Sequence, residues 1–404
     1  MEFQINVNTI AYKAEFIISS KTNENEFLGN TNLPKDFCSD LTQRVDRFTL
    51  NKQYALSNEI QYKSVGRTDE ITTLMHKVVL TAAQLINESR FHSHTTKDNL
   101  MKKLSNLIIK VKGVNEMSDV DPESVGFLTM TAPKSVKSTT FLFSGIYKSL
   151  HNTFHLNQIK LSAPSYVDYR VHHYYHYWDD LLVPYEIVNA WYDPTENTIT
   201  IPTGITLLPM GRGIPELDEA TIGVIFGHET GHSLDNNGRL FDELGNYAFN
   251  NTPGDESDDG MWHFDDVEQF NVSMNCLAED YGHPCGNQDY GHHTMGEDIA
   301  DQIGVRTGLR LLMETIHDNY EIQYKAPIPK SLLLKEFFVN YAKLWCGRSS
   351  VSTQCDLVKR DPHALAKHRV NKTLRQIMEF MEAFGCKENS KMYKNQNNTC
   401  LIYK

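Results

Sequence analysis

A chain of 404 residues, 40% of them apolar, can bury a sizeable core, which excludes wholesale disorder. Acidic side chains outnumber basic ones 51 to 39, a formal net charge of -12, so no basic surface points to nucleic acid or an anionic membrane as partner. Apolar runs stay below the roughly 18 residues of a membrane span, and residues 1–20 lack the basic start and apolar stretch of a secretory leader, so no transmembrane segment or leader is expected in this chain.

In chain order, the first periodic stretch is 66–112, where Ile71, Leu74, Val78 and Leu85, then Leu100, Leu104, Leu107 and Ile108, follow helical spacing. His172, His173 and His176, interleaved with Tyr174, Tyr175 and Tyr177, read either as a metal cluster or, more simply, as half-buried aromatic packing. From Tyr185 to Pro202 the pattern alternates around the turn Asp193-Pro194-Thr195-Glu196-Asn197, which predicts a hairpin with an accessible edge. A helix is expected from Asp218 to Leu234, carrying Ile222, Ile225 and Phe226, with Asp218 and Glu219 suited to its electropositive first turn. Gly, Asn, Asp and Pro crowd 237–261, a composition that resists regular structure. A second helix is expected from Gly296 to His317, opened by Glu297, Asp298 and Asp301 and striped by Ile303, Leu309, Leu312 and Ile316.

Of the seven cysteines only Cys38 precedes residue 275, and none forms a CxxC pair, which argues against a thiolate metal site. Together with sequons at Asn87, Asn250, Asn271, Asn371 and Asn397 they suggest an oxidising compartment, hence an extracellular or secreted address.

The chemistry centres on His228-Glu229-Thr230-Gly231-His232, an HExxH pentapeptide. At 3.6 residues per turn its two imidazoles leave one helix face within reach of one ion. A catalytic zinc needs a third protein ligand and an open position, and a carboxylate from a second helix is a common solution, so Glu297 is the candidate. Asp301, one turn later, is placed to orient His228 through its other ring nitrogen. Glu229 is the candidate base, and His363 with Arg369 offers an imidazole and a guanidinium for an oxyanion. Without a metal the pentapeptide is an ordinary amphipathic turn, and His363 and Arg369 alone are ordinary surface groups; His292 and His293 lie close to Glu297 as rival ligands but precede the helix start, and the combination singles the site out.

These residues resemble the neprilysin family of zinc endopeptidases. The resemblance rests on Asn189-Ala190-Trp191-Tyr192 with Ile201-Pro202-Thr203-Gly204-Ile205, on Gly227 to Arg239, on Gly296 to Asp301, and on Trp345-Cys346-Gly347 followed by Asp361 to Leu374, Cys386 and Cys400. It is strong over 160–404 and weaker over 85–115. Asp298 stands where the family has Asn.

The resemblance implies one Zn2+ per chain on His228, His232 and Glu297, with Glu229 as base, Asp301 behind a ligand and His363 as oxyanion donor. It implies that Asn189, Ala190 and Arg369 hold the substrate backbone, and that Ile205, Met210, Ile225 and Trp345 line the pocket for a hydrophobic residue after the cut bond. It also implies a Cys276–Cys400 disulfide, and leaves Cys346 and Cys386 with only Cys38 as a further upstream cysteine. The expected fold is mainly α with a small β-sheet, a zincin-type (thermolysin-like) domain over 161–404 preceded by a reduced helical region over 1–160. The expected activity is zinc-dependent hydrolysis of peptides on the amino side of hydrophobic residues. The rivals are a catalytically silent neprilysin-like binding protein and a metal-binding module without turnover; the sequence carries no sign of oligomeric state.

Overall fold

The computed structural model describes residues 67–112 (apart from 92), 185, 187–206, 215–248, 258–259, 261–323, 329–347 and 349–404. Packing divides the chain into two units. The larger comprises Asp69–Val111, Ala190–Ile201 and Leu207–Lys404. In the smaller, which takes in Lys112–Asn189 and Pro202–Thr206, Thr203 Oγ1 donates to Lys112 O at 2.6 Å and the Gly204 amide to Tyr185 O at 2.7 Å.

Helix α1 (Arg67–Asn87) buries Ile71, Leu74 and Val78 of the stripe read from the sequence, leaves Leu85 half-buried, and adds Met75, Ala82 and Ile86. Helix α2 (His94–Ser105) starts at Ser93, whose hydroxyl accepts from the Thr96 amide, and buries Leu100 and Leu104. Helical spacing through Leu107 and Ile108 misleads at this point. Asn106 turns the chain out of the helix, and Ile108–Val111 becomes strand β1. Its β-branched residues pair in parallel with β3 (Thr198–Ile201), Ile109 opposite Ile199. β2 (Trp191–Asp193) is antiparallel to β3, as the alternating pattern predicts, so β3 is central and wholly buried while β2 lies at the edge.

The longer helices that follow are α3 (Pro215–His232), α4 (Phe264–Tyr281), α5 (Met295–Gln323), α6 (Lys330–Leu344), α7 (Val351–Arg360), α8 (Ala366–Leu374) and α9 (Met378–Phe384). Trp262, just before α4, and Phe270, on it, pack in a core with Phe91 and Tyr403. α3 and α5 pack backbone to backbone. A Cβ on Gly231 would sit 2.9 Å from Ala300 Cα, and one on Gly304 would sit 2.5 Å from Val224 O, so only small residues allow this approach. Glycine inside the HExxH turn thus has a packing reason that outweighs its helix cost of about 1 kcal/mol.

The expected Cys276–Cys400 disulfide is present, and a second, Cys285–Cys355, ties the turn after α4 to α7. Cys346 and Cys386 carry free thiols. The His172 to Tyr177 cluster, Cys38 and Met210 lie outside the described residues. Among the described residues no helix is long and apolar enough to cross a membrane.

Candidate metal centre

Four residues apart on α3, His228 and His232 turn their Nε2 atoms towards each other, 3.1 Å apart. From α5, Glu297 brings Oε2 to 3.2 Å from His228 Nε2 and Oε1 to 3.5 Å from His232 Nε2. One donor atom from each of the three lies within 4.8 Å of the others. The expected third residue therefore converges with the imidazoles, and it does so because the glycine-lined contact lets α5 run close beside α3.

A carboxylate stands behind each ring. His228 Nδ1–H donates to Asp301 Oδ1 at 2.9 Å, as the one-turn offset from Glu297 predicts. His232 Nδ1–H donates to Asp235 Oδ2 at 2.8 Å, a partner the sequence reading passed over although a carboxylate three residues after the second His is a visible signal. With each Nδ1–H committed to a carboxylate, a metal that displaces the proton from Nε2 would find both Nε2 lone pairs facing the same point.

The electrostatics favour a cation there. Burial opposes charge on His228, yet the Asp301 and Glu297 carboxylates raise its pKa to about 10. Burial likewise opposes charge on Glu297, but His228, His232 and His363 bring it down to about 2. Glu297 Oε2 is buried without a hydrogen-bond partner, an orphaned acceptor beside two converging nitrogens. Two imidazoles and one carboxylate form a donor set suited to zinc, and Asp301 and Asp235 orient the rings as carboxylates behind metal-bound histidines do.

Glu229, on the same helix, is buried, and that burial raises its pKa against the pull of His228 and His232. His363 reaches the rim, with Nε2 3.4 Å from Glu297 Oε2 and its side chain half exposed. Asp361 Oδ1 accepts from both its backbone amide and Nδ1, at 2.9 and 2.8 Å. Arg369 is buried and grips Asp301 with a two-pronged contact, Nε to Oδ2 at 2.8 Å and Nη2 to Oδ1 at 2.6 Å. Its guanidinium also lies 3.5 Å from Glu297 Oε2 and 3.6 Å from the centre of the Trp345 ring. Trp345 thus covers Arg369, a stacking the sequence reading did not foresee. Ala190, buried, immediately precedes β2, and Ile225 is partly exposed on α3. Asn189 and Ile205 belong to the smaller unit.

Residues 189–400, more than half of the chain, match the profile of peptidase family M13. The chain belongs to peptidase family M13. Among its M13 relatives, Neprilysin-3 of Drosophila melanogaster is 31% identical over 222 residues, covering 54% of this chain and 27% of that protein. Endothelin-converting enzyme 1 of Homo sapiens is 31% identical over 221 residues, with 54% and 27% covered. The matched stretch therefore spans little more than a quarter of these relatives. In fold, the chain is similar to the zinc metalloprotease Zmp1 of Mycobacterium tuberculosis, with TM-score 0.67 and 21% identity over 94% of this chain and 54% of that one. It is also similar to PepO of Lactobacillus rhamnosis, with TM-score 0.66 and 20% identity over 91% and 51%. The mainly helical M13 fold with its small sheet is the one expected from the sequence.

Proposed function

We propose that this chain is a zinc-dependent endopeptidase, with one ion on His228, His232 and Glu297, that cuts peptides on the amino side of hydrophobic residues. The observation that carries the proposal is the convergence of those three side chains, two of them from one helix face and each imidazole backed by its own carboxylate.

When bound, the ion acidifies a water and polarises the carbonyl to be attacked. Glu229 takes the proton of the attacking water, a role that its burial-raised pKa suits, and passes it to the leaving amine. His363, turned by Asp361, donates a hydrogen bond to the oxyanion from the rim. Arg369 holds Asp301 in place and, with Ala190, fixes the substrate backbone. Extended peptide adds to β2, the edge of the described sheet, by strand addition. By the family resemblance, Ile225 and Trp345 serve the hydrophobic residue that follows the cut bond. Two disulfides and exposed sequon asparagines at Asn87, Asn271, Asn371 and Asn397 support an extracellular address.

Incubation of the chain with a diverse peptide pool, read by mass spectrometry, tests the proposal. Cleavage before hydrophobic residues is expected, abolished in Glu229→Gln with zinc content unchanged. If the zinc-loaded wild type leaves the pool intact, the peptidase reading is abandoned.

A further inference from the structure

Lys103, on α2, is fully buried, an unusual place for an ammonium. Its Nζ donates to two backbone carbonyls, those of Gly238 and, at 2.8 Å, Phe241. Both belong to the turn that follows the HExxH helix. The same turn carries Asp235, whose Oδ1 accepts from the Asn237 and Gly238 amides at 2.8 and 2.7 Å while Oδ2 holds the His232 ring. The Gly238 residue is thus bonded to Asp235 through its amide and to Lys103 through its carbonyl. Nothing larger fits there, because a Cβ would lie 1.9 Å from His232 O. The tie therefore runs from Lys103 through Gly238 and Asp235 to His232.

Lys103 has a second arm. Its own carbonyl accepts from Asn197 Nδ2 at 3.0 Å, and Asn197 Nδ2 also donates to Glu243 O at 3.2 Å. Asn197 sits in the left-handed region, φ +47°, at the hairpin turn, and its Oδ1 accepts from Tyr192 Oη of edge strand β2 at 3.0 Å. The Lys103 ammonium also lies 5.9 Å from the centre of the Tyr192 ring.

We propose that Lys103 is a positioning residue for both halves of the site, its side chain fixing the turn that orients His232 and its backbone carbonyl fixing the hairpin that presents β2. The inference rests on the zinc-peptidase reading for its substrate half and on the metal centre alone for its other half. Through its ammonium and its backbone carbonyl, Lys103 holds in register the turn after α3 and the hairpin, so metal and substrate strand keep a constant separation. Desolvated with two carbonyls as acceptors, it leaves Phe241 O without its donor if removed, and Gly238 O with only the Phe241 amide at 3.1 Å.

The test is zinc affinity of the full chain by chelator competition, with kcat and KM measured at saturating zinc. Lys103→Met is expected to weaken zinc about tenfold, the scale seen when a group supporting a metal-bound histidine is lost, and, because the ammonium beside the Tyr192 ring of β2 goes with it, to raise KM for extended peptides several-fold. In an Asp235→Ala background it should weaken zinc no further, because the effect runs through Asp235. A role in folding alone would lower the melting temperature and leave zinc affinity untouched, which would overturn the proposal. Should K103M yield no folded protein, Lys103→Arg replaces it, keeping the cation but not the two-carbonyl geometry, and wild-type zinc affinity and KM in K103R overturn it equally. A wild type that takes up no zinc sinks the metal-centre reading instead.

Discussion

Asp301→Asn is the sharpest probe of the centre, because Asp301 serves three donors with two oxygens. Oδ1 accepts from His228 Nδ1 at 2.9 Å and Arg369 Nη2 at 2.6 Å, and Oδ2 accepts from Arg369 Nε at 2.8 Å. An amide has one oxygen, so whichever way it turns its NH2 meets a donor. Placing the oxygen at Oδ1 saves two of the three bonds, and the third, a charge-assisted one, costs about 1.5–3 kcal/mol. Arg369 is then left, still buried, with Glu297 at 3.5 Å as its nearest remaining anion. Losing one partner of a buried pair costs about 3–5 kcal/mol, and D301N keeps part of the contact, so about 2–4 kcal/mol is expected. At a few °C per kcal/mol, the metal-free melting temperature should fall on the order of 10 °C in calorimetry. The looser His228 ring should lower zinc affinity roughly 10- to 100-fold in chelator competition. A folded D301N with wild-type zinc affinity would refute the argument that Asp301 fixes His228.

Gly238→Ala forces a methyl into the His232 carbonyl, so it should lose zinc binding even where the helices still fold, as circular dichroism alongside metal analysis would reveal. Glu297 and Asp301 are both held at about 2 in the metal-free protein, burial being outweighed by His228 and Arg369 respectively. Depressed carboxylates stabilise the fold fully above their unfolded pKa near 4, so chelator-treated protein should lose stability as pH falls from about 4 to about 2, and a flat acid melting curve would contradict this. Because Glu229 must be deprotonated to act and its pKa is raised by burial, the acidic limb of kcat/KM should lie above the ordinary carboxylate value, and a limb at or below that value would contradict this. Removing Cys276–Cys400, which closes 124 residues, should cost about 2–5 kcal/mol in denaturant unfolding, with the metal ligands themselves untouched.

What the sequence determined by itself is local. The spacing of His228 and His232 dictates a shared helix face, that of Glu297 and Asp301 places a ligand candidate and its neighbour one turn apart, and the alternation around Asp193 to Asn197 dictates a hairpin, because a helix or strand repeats every 3.6 or 2 residues whatever lies beyond it. The helical spacing failed at Ile108 for the complementary reason, since pairing with β3 lies 90 residues away and overrides local preference. Only the tertiary structure decided how near α5 comes to α3, which depends on Gly231, Ala300 and Gly304 lying opposite one another. It alone matched Arg369 to Asp301, Trp345 to Arg369, Lys103 to Gly238 and Cys285 to Cys355. Periodicity names the face of an element, but the partner of a buried charge or thiol is whichever group the folded chain delivers to it, and no local pattern encodes that choice.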